Sequence, residues 1–337
     1  MFRAMRRFSR RDFLRLTAGL AIATSLPIPR PAIGGLFDRI FGPNAQLTPA
    51  ITPNEQFYVT SYRSPPRVDV KNWQLSVTGL VDRPMTLTYP QLLARPSLTE
   101  IVTLECVGNS IGDDAIGTAE WEGISLKALL EDAGVASQAH DVVFRAADGY
   151  SDSIPVERAL VGDVLVAHKM NGVPLPQGHG FPARIIVPGI YGMKNVQWLT
   201  AIEPVDQDYK GYYQKQGWSD DATVKTTSRI DLPGHGETLQ GRDYLVRGLA
   251  FAGTRGIRQV EISTDGGEHW AQASLAEPLS PYAWRFWSYR WAIPGPGGYT
   301  LMVRATDGTG RLQSSDEQGP FPDGASGLHE VTVKVEG

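Results

Sequence analysis

The chain has 337 residues, 42% hydrophobic and 20% charged, an ordinary globular composition with room for about two domains. No apolar run approaches the ~20 residues of a membrane span, and a single cysteine excludes an intrachain disulfide. The first 30 residues hold seven Arg and one Asp, so the remainder carries −10 against −4 for the whole chain, which argues against nucleic-acid binding and favours a basic protein partner.

The N-terminus carries Arg3, Arg6, Arg7, Arg10 and Arg11, then an apolar stretch over 14–26. A charged region before an apolar run too short to span a bilayer predicts a targeting segment over 1–30. Within it, Ser9-Arg10-Arg11-Asp12-Phe13-Leu14 resembles the twin-arginine export signal of bacteria. That route carries folded proteins, often with a cofactor in place, and implies a periplasmic location. Residues 31–55, rich in Pro, Gly and Asn, are expected to be an extended entry segment.

From Trp73 the pattern mixes strands and short helices. Alternation predicts a strand over 73–79, then a short helix over 89–94 and a buried strand over 101–106. Ser125 caps a predicted helix over 126–133, with Leu126, Leu129, Leu130 and Ala133 on one face and Gly134 as its stop. Strands follow over 141–146, 164–168, 184–187 and 196–202, giving an α+β domain over 56–215. After Asp220 helical periodicity is gone. Short strands over 244–250, 259–264, 290–293, 299–305 and 331–335, separated by turns such as Asp265-Gly266-Gly267, predict a β-sandwich over 220–337.

Cys106 is the residue on which a functional reading turns. A lone thiol is a packing residue, a nucleophile or a soft metal ligand. A nucleophile needs a base, and none of the six histidines is linked to Cys106 by a signature. The absence of CxxC and HExxH disfavours zinc. Gly108 lets backbone approach a bulky ligand, and Asn109 offers both donor and acceptor. Downstream, His179-Gly180-Phe181-Pro182-Ala183-Arg184 and the run from Pro188 to Leu199 bring His, Arg, Lys and Asn into Gly-containing turns. Such turns suit an anionic, hydrogen-bonding ligand. No glycine spacing matches a dinucleotide fingerprint or P-loop.

These segments together resemble the sulfite oxidase family of molybdopterin-dependent oxidoreductases. The resemblance is carried by Glu105-Cys106-Val107-Gly108-Asn109, by Asn171 to Pro176 with His179 to Arg184, by Pro188 to Leu199, and by Asp208-Tyr209-Lys210-Gly211. The sandwich, with Val260 to Gly267 and Trp270, is similar to the family's immunoglobulin-like dimerisation domain. The resemblance runs from about residue 52 to 335. It implies that Cys106 is the protein thiolate on molybdenum, and that Tyr58, Asn109, Asp148, His179, Arg184, Asn195, Val196 and Gln197 bind the molybdopterin. It also implies that Tyr209 is the active-site tyrosine and that the chain forms a homodimer.

The family's substrate side is not reproduced. Where it has Phe-x-Arg-Asn-His, Thr60 stands at the arginine and Tyr62 at the histidine; its paired arginines after the cysteine motif are Ser110 and Ile111 here. Arg285 is a loose match to a third basic group. An arginine fork outranks a neutral contact for an oxyanion, so Thr60, Ile111 and Arg285 mark a substrate site of changed character. The chain carries no CxxCH for haem, so electrons are expected to leave to an external carrier such as cytochrome c. The expected reaction is oxygen-atom transfer that oxidises sulfite or a related sulfur compound. The alternatives are reduction of a sulfoxide on the same cofactor, and a cofactor-free binding module on the same fold.

Overall fold

The computed structural model describes residues 48–337. The expected export signal and residues 31–47 of the extended segment lie outside the described residues. Strands are numbered along the chain.

Among the described residues, two sheets and four short α-helices build the first part. One sheet has the order β2 (Met85–Thr88), β1 (Gln74–Val77), β10 (Leu199–Val205), β5 (Asp141–Ala146), β6 (Ser151–Pro155), with β1 and β10 parallel and the other pairs antiparallel. The other has the order β3 (Leu98–Glu105), β4 (Ile116–Ser125), β7 (Leu165–Met170), β8 (Val173–Pro174), with β9 (Arg184–Ile186) also on β7. The helices are α1 (Tyr89–Leu93), α2 (Leu126–Ala133), α3 (Val156–Ala159) and α4 (Tyr212–Lys215).

Helix α2 shows how local sequence fixes an element. The Ser125 hydroxyl accepts from the Ala128 amide at 3.4 Å, satisfying one amide that the first turn leaves unpaired. Gly134 ends the helix in the left-handed region at φ 70°, where a side chain would be strained. Leu126, Leu129, Leu130 and Ala133 are fully buried against Leu75, Val142 and Phe144 of the first sheet. Helices α3 and α4 were not predicted; four residues are too few for periodicity to declare itself.

The second part is a sandwich without α-helix. Its sheets run β11 (Thr227–Leu232), β13 (Asp243–Phe251), β17 (Arg285–Ala292), β16 (Ser274–Leu275), and β12 (Thr238–Gln240), β19 (His329–Glu336), β18 (Gly297–Asp307), β14 (Ile257–Ser263), β15 (Ala271–Gln272). Val246, Trp287, Val260, Leu301 and Val331 fill the space between them. The predicted strand over 290–293 is the last part of β17, and the one over 196–202 starts late, at Leu199.

The two parts share a core. Val107 and Met193 from the first pack with Phe251 and Trp284 from the second, and Tyr191 joins them. Polar contacts reinforce this seam: the Thr103 amide donates to the Tyr282 carbonyl at 3.1 Å, the Trp284 amide to the Thr103 hydroxyl at 2.8 Å, and Arg229 to the Asp113 carbonyl at 2.8 Å. Residues 48–337 accordingly belong to one compact unit.

Candidate cofactor site around Cys106

Strand β3 ends at Glu105 and leaves Cys106 on the following turn. The Cys106 amide donates to the Ala115 carbonyl at 2.9 Å and its carbonyl accepts from the Asn109 amide at 2.9 Å, which fixes where the thiol points. Burial pushes the thiol's pKa up, and the Gly108 amide and Thr60 hydroxyl oppose this. Neighbouring Glu105 is pushed up to about 7 by burial, against the hydrogen bond from Asn109.

Cys106 lines a cleft that is partly open to solvent. Tyr58 and Thr60 come to it from the chain before the first sheet, Asp148 from the β5–β6 turn, Arg184 from the start of β9, and Val196 and Gln197 from the turn before β10. Tyr62, Tyr150, Tyr213 and Trp198 add aromatic wall. Among the described residues, Arg184 is the one cation that lines the cavity. It is 4% exposed, and burial lowers its pKa to about 10. Its terminal nitrogens donate to the His179 and Asn195 carbonyls, both at 3.1 Å, and its guanidinium lies 5.1 Å from the Trp121 ring centre. The Tyr58 phenol is pushed up by burial and by the charge of a Cys106 thiolate, so it stays a donor. Gly192 is needed here: a Cβ would come within 2.8 Å of the Tyr58 hydroxyl and 3.4 Å of the Glu105 carbonyl.

Two wall residues keep a buried polar atom with no partner among the described residues, Arg184 Nε and Asp148 Oδ2, and so does His179 Nδ1 behind the wall. A buried unpaired polar group costs about 1–3 kcal/mol, so these atoms fit a ligand that brings both donors and acceptors. A soft thiol beside them fits a soft metal. Molybdopterin, whose ring system offers donors and acceptors and whose dithiolene carries the metal, meets both demands.

The comparisons with known proteins agree. Residues 62–213 match the oxidoreductase molybdopterin binding domain, and 221–318 the molybdenum-cofactor oxidoreductase dimerisation domain. Sulfite oxidase of Gallus gallus is 31% identical over 312 residues, 78% of this chain and 68% of that protein. The chain belongs to the sulfite oxidase family. The mitochondrial sulfite oxidase of Homo sapiens is 31% identical over 336 residues, 83% of this chain; the chain spans 61% of that relative's length. A nitrate reductase [NADH] of Solanum lycopersicum is 32% identical over 323 residues, 77% of this chain and 36% of that protein. The sulfane dehydrogenase SoxCD of Paracoccus pantotrophus shares the fold, with a TM-score of 0.75 over 93% of this chain and 92% of that one at 22% identity.

Membership of the sulfite oxidase family brings molybdopterin and molybdenum as cofactor, and the geometry sorts the residues expected to serve it. Tyr58, Cys106, Asp148, Arg184, Asn195, Val196 and Gln197 all line the cavity. Asn195 contributes backbone only, because its side chain accepts from the Val187 amide at 2.7 Å and donates to the Ile190 and Tyr191 carbonyls. Gln197 has no hydrogen-bond partner for its amide among the described residues, which leaves it available to a ligand. His179 stands behind the wall: its Nε2 meets the Asn54 carbonyl at 2.8 Å and its ring packs edge-on to Phe57.

Four expected residues are placed elsewhere. Asn109 is spent on the turn, donating to Glu105 and accepting from the Ala115 amide, both at 2.9 Å. The Tyr209 hydroxyl bonds the Ser151 hydroxyl at 2.7 Å and does not line the cavity. Arg285 donates to the Ala276 carbonyl at 2.7 Å and the Ile257 carbonyl at 2.8 Å within the sandwich. Ile111 lies past the Cys106 turn, outside the wall; Thr60 alone of the three substrate-side candidates reaches it. Lys194 turns away from the ligand space to Asp152, Ser153 and Asp220. The residues that sequence reasoning missed are Tyr150 and Tyr213. Each lies near a recognised segment, Asp148-Gly149 and Lys210-Gly211, but only folding turns its ring inward.

Proposed function

We propose that this chain is a periplasmic oxidoreductase that oxidises sulfite or a related sulfur compound and passes electrons to an external cytochrome c. The observation that supports it is that Cys106, Arg184 and Asp148 line one cavity, and that the latter two each keep a buried polar atom, Arg184 Nε and Asp148 Oδ2, without a partner among the described residues. Bound there, the molybdenum cofactor supplies two-electron oxygen-atom transfer. Cys106 would hold the metal, Arg184 and the Asn195–Gln197 backbone would orient the pterin, and Asp148 would accept a hydrogen bond from it. The Tyr58 phenol and the Thr60 hydroxyl are the polar groups near Cys106 on the chain preceding the first sheet, available to orient a substrate oxygen. Balanced over one turnover, water supplies the oxygen, two protons are released and two one-electron carriers are reduced.

The wall also supports a second reading, sulfoxide reduction. Among the described residues Arg184 is its only cation, and two of that guanidinium's nitrogens are held by carbonyls. A neutral substrate needs no arginine fork, whereas a dianion gains from one. One purified preparation decides between them: sulfite-dependent cytochrome c reduction favours the first, and dye-driven sulfoxide reduction without it favours the second. Metal and pterin analysis of the same sample tests the cofactor directly. Export is proposed from Arg10 and Arg11; a reporter fused behind residues 1–30 is expected to reach the periplasm, and to stay cytoplasmic with both arginines changed to lysine.

A further inference from the structure

The proposed reaction must deliver electrons from the cavity to a carrier outside the chain, and rings lead from the cavity wall to the surface. Tyr150 and Tyr213, both in the wall, have ring centres 5.9 Å apart. Tyr213 is 6.2 Å from Trp218, and Trp218 is 5.3 Å from Phe321. A branch runs from wall residue Tyr62 to Tyr212 at 4.5 Å, and Tyr212 meets Tyr213 at 5.3 Å. Both branches end in exposed aromatic groups: Tyr212 is 40% and Phe321 59% exposed.

Phe321 is not a loose side chain. The Ser219 amide donates to the Pro322 carbonyl at 2.9 Å, the Gly324 amide to the Pro320 carbonyl at 2.7 Å, and Lys225 to Asp323 and the Gly324 carbonyl, both at 2.8 Å. A turn of the sandwich part thus holds an apolar ring over Trp218, near the linker between the two parts. Rigid exposed aromatics are typical anchors of protein interfaces. The surroundings carry a sign: residues 314–323 contain Asp316, Glu317 and Asp323 and no Lys or Arg, and Asp220 and Asp221 follow Trp218 closely. Asp221, Asp316 and Glu317 have no ion-pair partner among the described residues. Of the cations nearby, Lys215 and Arg311 are exposed, Lys210 is half-buried and paired with Asp208 and Asp220, and Arg63 is held against the Tyr62 ring at 4.9 Å.

We propose that the face formed by Tyr212, Trp218 and Phe321 with its acidic flank is the docking surface for a basic one-electron carrier protein. The proposal rests on the oxidative reading given above, and adds where the carrier binds. A small aromatic patch with charged surroundings suits a transient redox encounter, which buries little area and is steered by charge. The rings lead from the cavity to this face, so a carrier seated here is linked to it by aromatic groups in contact.

The test is binding of lysine-rich cytochrome c to the full-length, cofactor-loaded protein, measured without substrate. Raising salt from about 20 to about 200 mM is expected to weaken binding roughly 10-fold. Phe321→Ala and Phe321→Lys are each expected to weaken it by about 10-fold or more, and cytochrome c with acetylated lysines is expected not to bind. Phe321 lies outside the cavity, so turnover with ferricyanide is expected to stay at the parent rate in Phe321→Ala. Parent-like affinity in both variants, or no binding by the parent, overturns the proposal. A changed oligomeric state with unchanged cytochrome affinity also overturns it, assigning the face to a second copy of the chain. Loss of all sulfite-dependent ferricyanide reduction in the parent would sink the functional reading alone, because the binding result is obtained independently.

Discussion

Cys106 combines two constraints that sequence could state and one that it could not. It is the chain's single cysteine and sits beside a glycine and an asparagine. Its cavity, with Arg184 Nε and Asp148 Oδ2 unpartnered, exists only in the fold. Cys106→Ser is expected to lose activity by more than the ~10–100-fold typical of outer-shell changes at metal sites, and to lose the metal–thiolate absorption; retained turnover would sink the assignment of Cys106 as ligand. Arg184→Lys tests the other side. Lysine cannot reproduce a planar fork that reaches the His179 and Asn195 carbonyls together. Pterin content after purification is expected to fall about 10-fold, with the fold intact by circular dichroism. Asn109, by contrast, looked like a ligand residue in the sequence and proved to be turn architecture. Its side chain satisfies local groups, and an asparagine in a turn is equally suited to either task.

The elements that carry the site are unequal in how they are fixed. Helix α2 was legible from its cap, apolar face and glycine stop, all local signals. The turn at 192–197 was legible only as a run of recognised residues, because a long-range contact holds it. Lys194, 2% exposed, reaches Asp152 Oδ1 at 3.0 Å, the Ser153 carbonyl at 2.9 Å and Asp220 Oδ1 at 3.0 Å. Asp152 is fully buried and also accepts from Tyr150 at 2.9 Å, so this lysine braces both a wall residue and the pterin-facing turn. Lys194→Met is expected to destabilise the protein by about 3–5 kcal/mol, since it leaves a buried carboxylate uncompensated. Adding Asp152→Asn is expected to recover part of that loss. Chemical denaturation of the two variants checks both statements, and equal stability of Lys194→Met and parent would refute the bracing role.

At the scale of the whole molecule the seam between the two parts matters most. His329 of β19 accepts from the Ile230 amide through Nδ1 at 3.0 Å, and Gly112, beyond the Cys106 turn, packs on its ring. Burial, then the charges of Arg229 and His235 against those of Asp231 and Asp113, hold its pKa at about 4. That lies below the ordinary value of 6.5, so the unfolded chain binds the extra proton first. The contribution is full above pH ~6.5 and is lost as pH falls toward 4, amounting to ~2 kcal/mol by pH 5. His329→Gln, which keeps an acceptor and does not titrate, is expected to flatten stability between pH 7 and pH 5 in urea titrations; an unchanged slope would remove His329 as the cause. The dimerisation-domain match over 221–318 leads us to expect a homodimer, and gel filtration across a range of concentrations checks it.

The sequence by itself determined what is local or cumulative: the α+β domain followed by a sandwich, the helix at 126–133, and the family, which several ordered motifs carry jointly. It also marked Thr60 and Ile111 as departures from the family's substrate side. Only the tertiary structure decided which of these residues face one another. Tyr209 and Arg285 match family segments yet bond within their own surroundings, at Ser151 and at the Ala276 and Ile257 carbonyls. Tyr150 and Tyr213 enter the wall from positions no pattern singled out. The reason is physical: periodicity and capping are written over a few residues, whereas the direction of a ring or guanidinium is set by partners brought from distant parts of the chain.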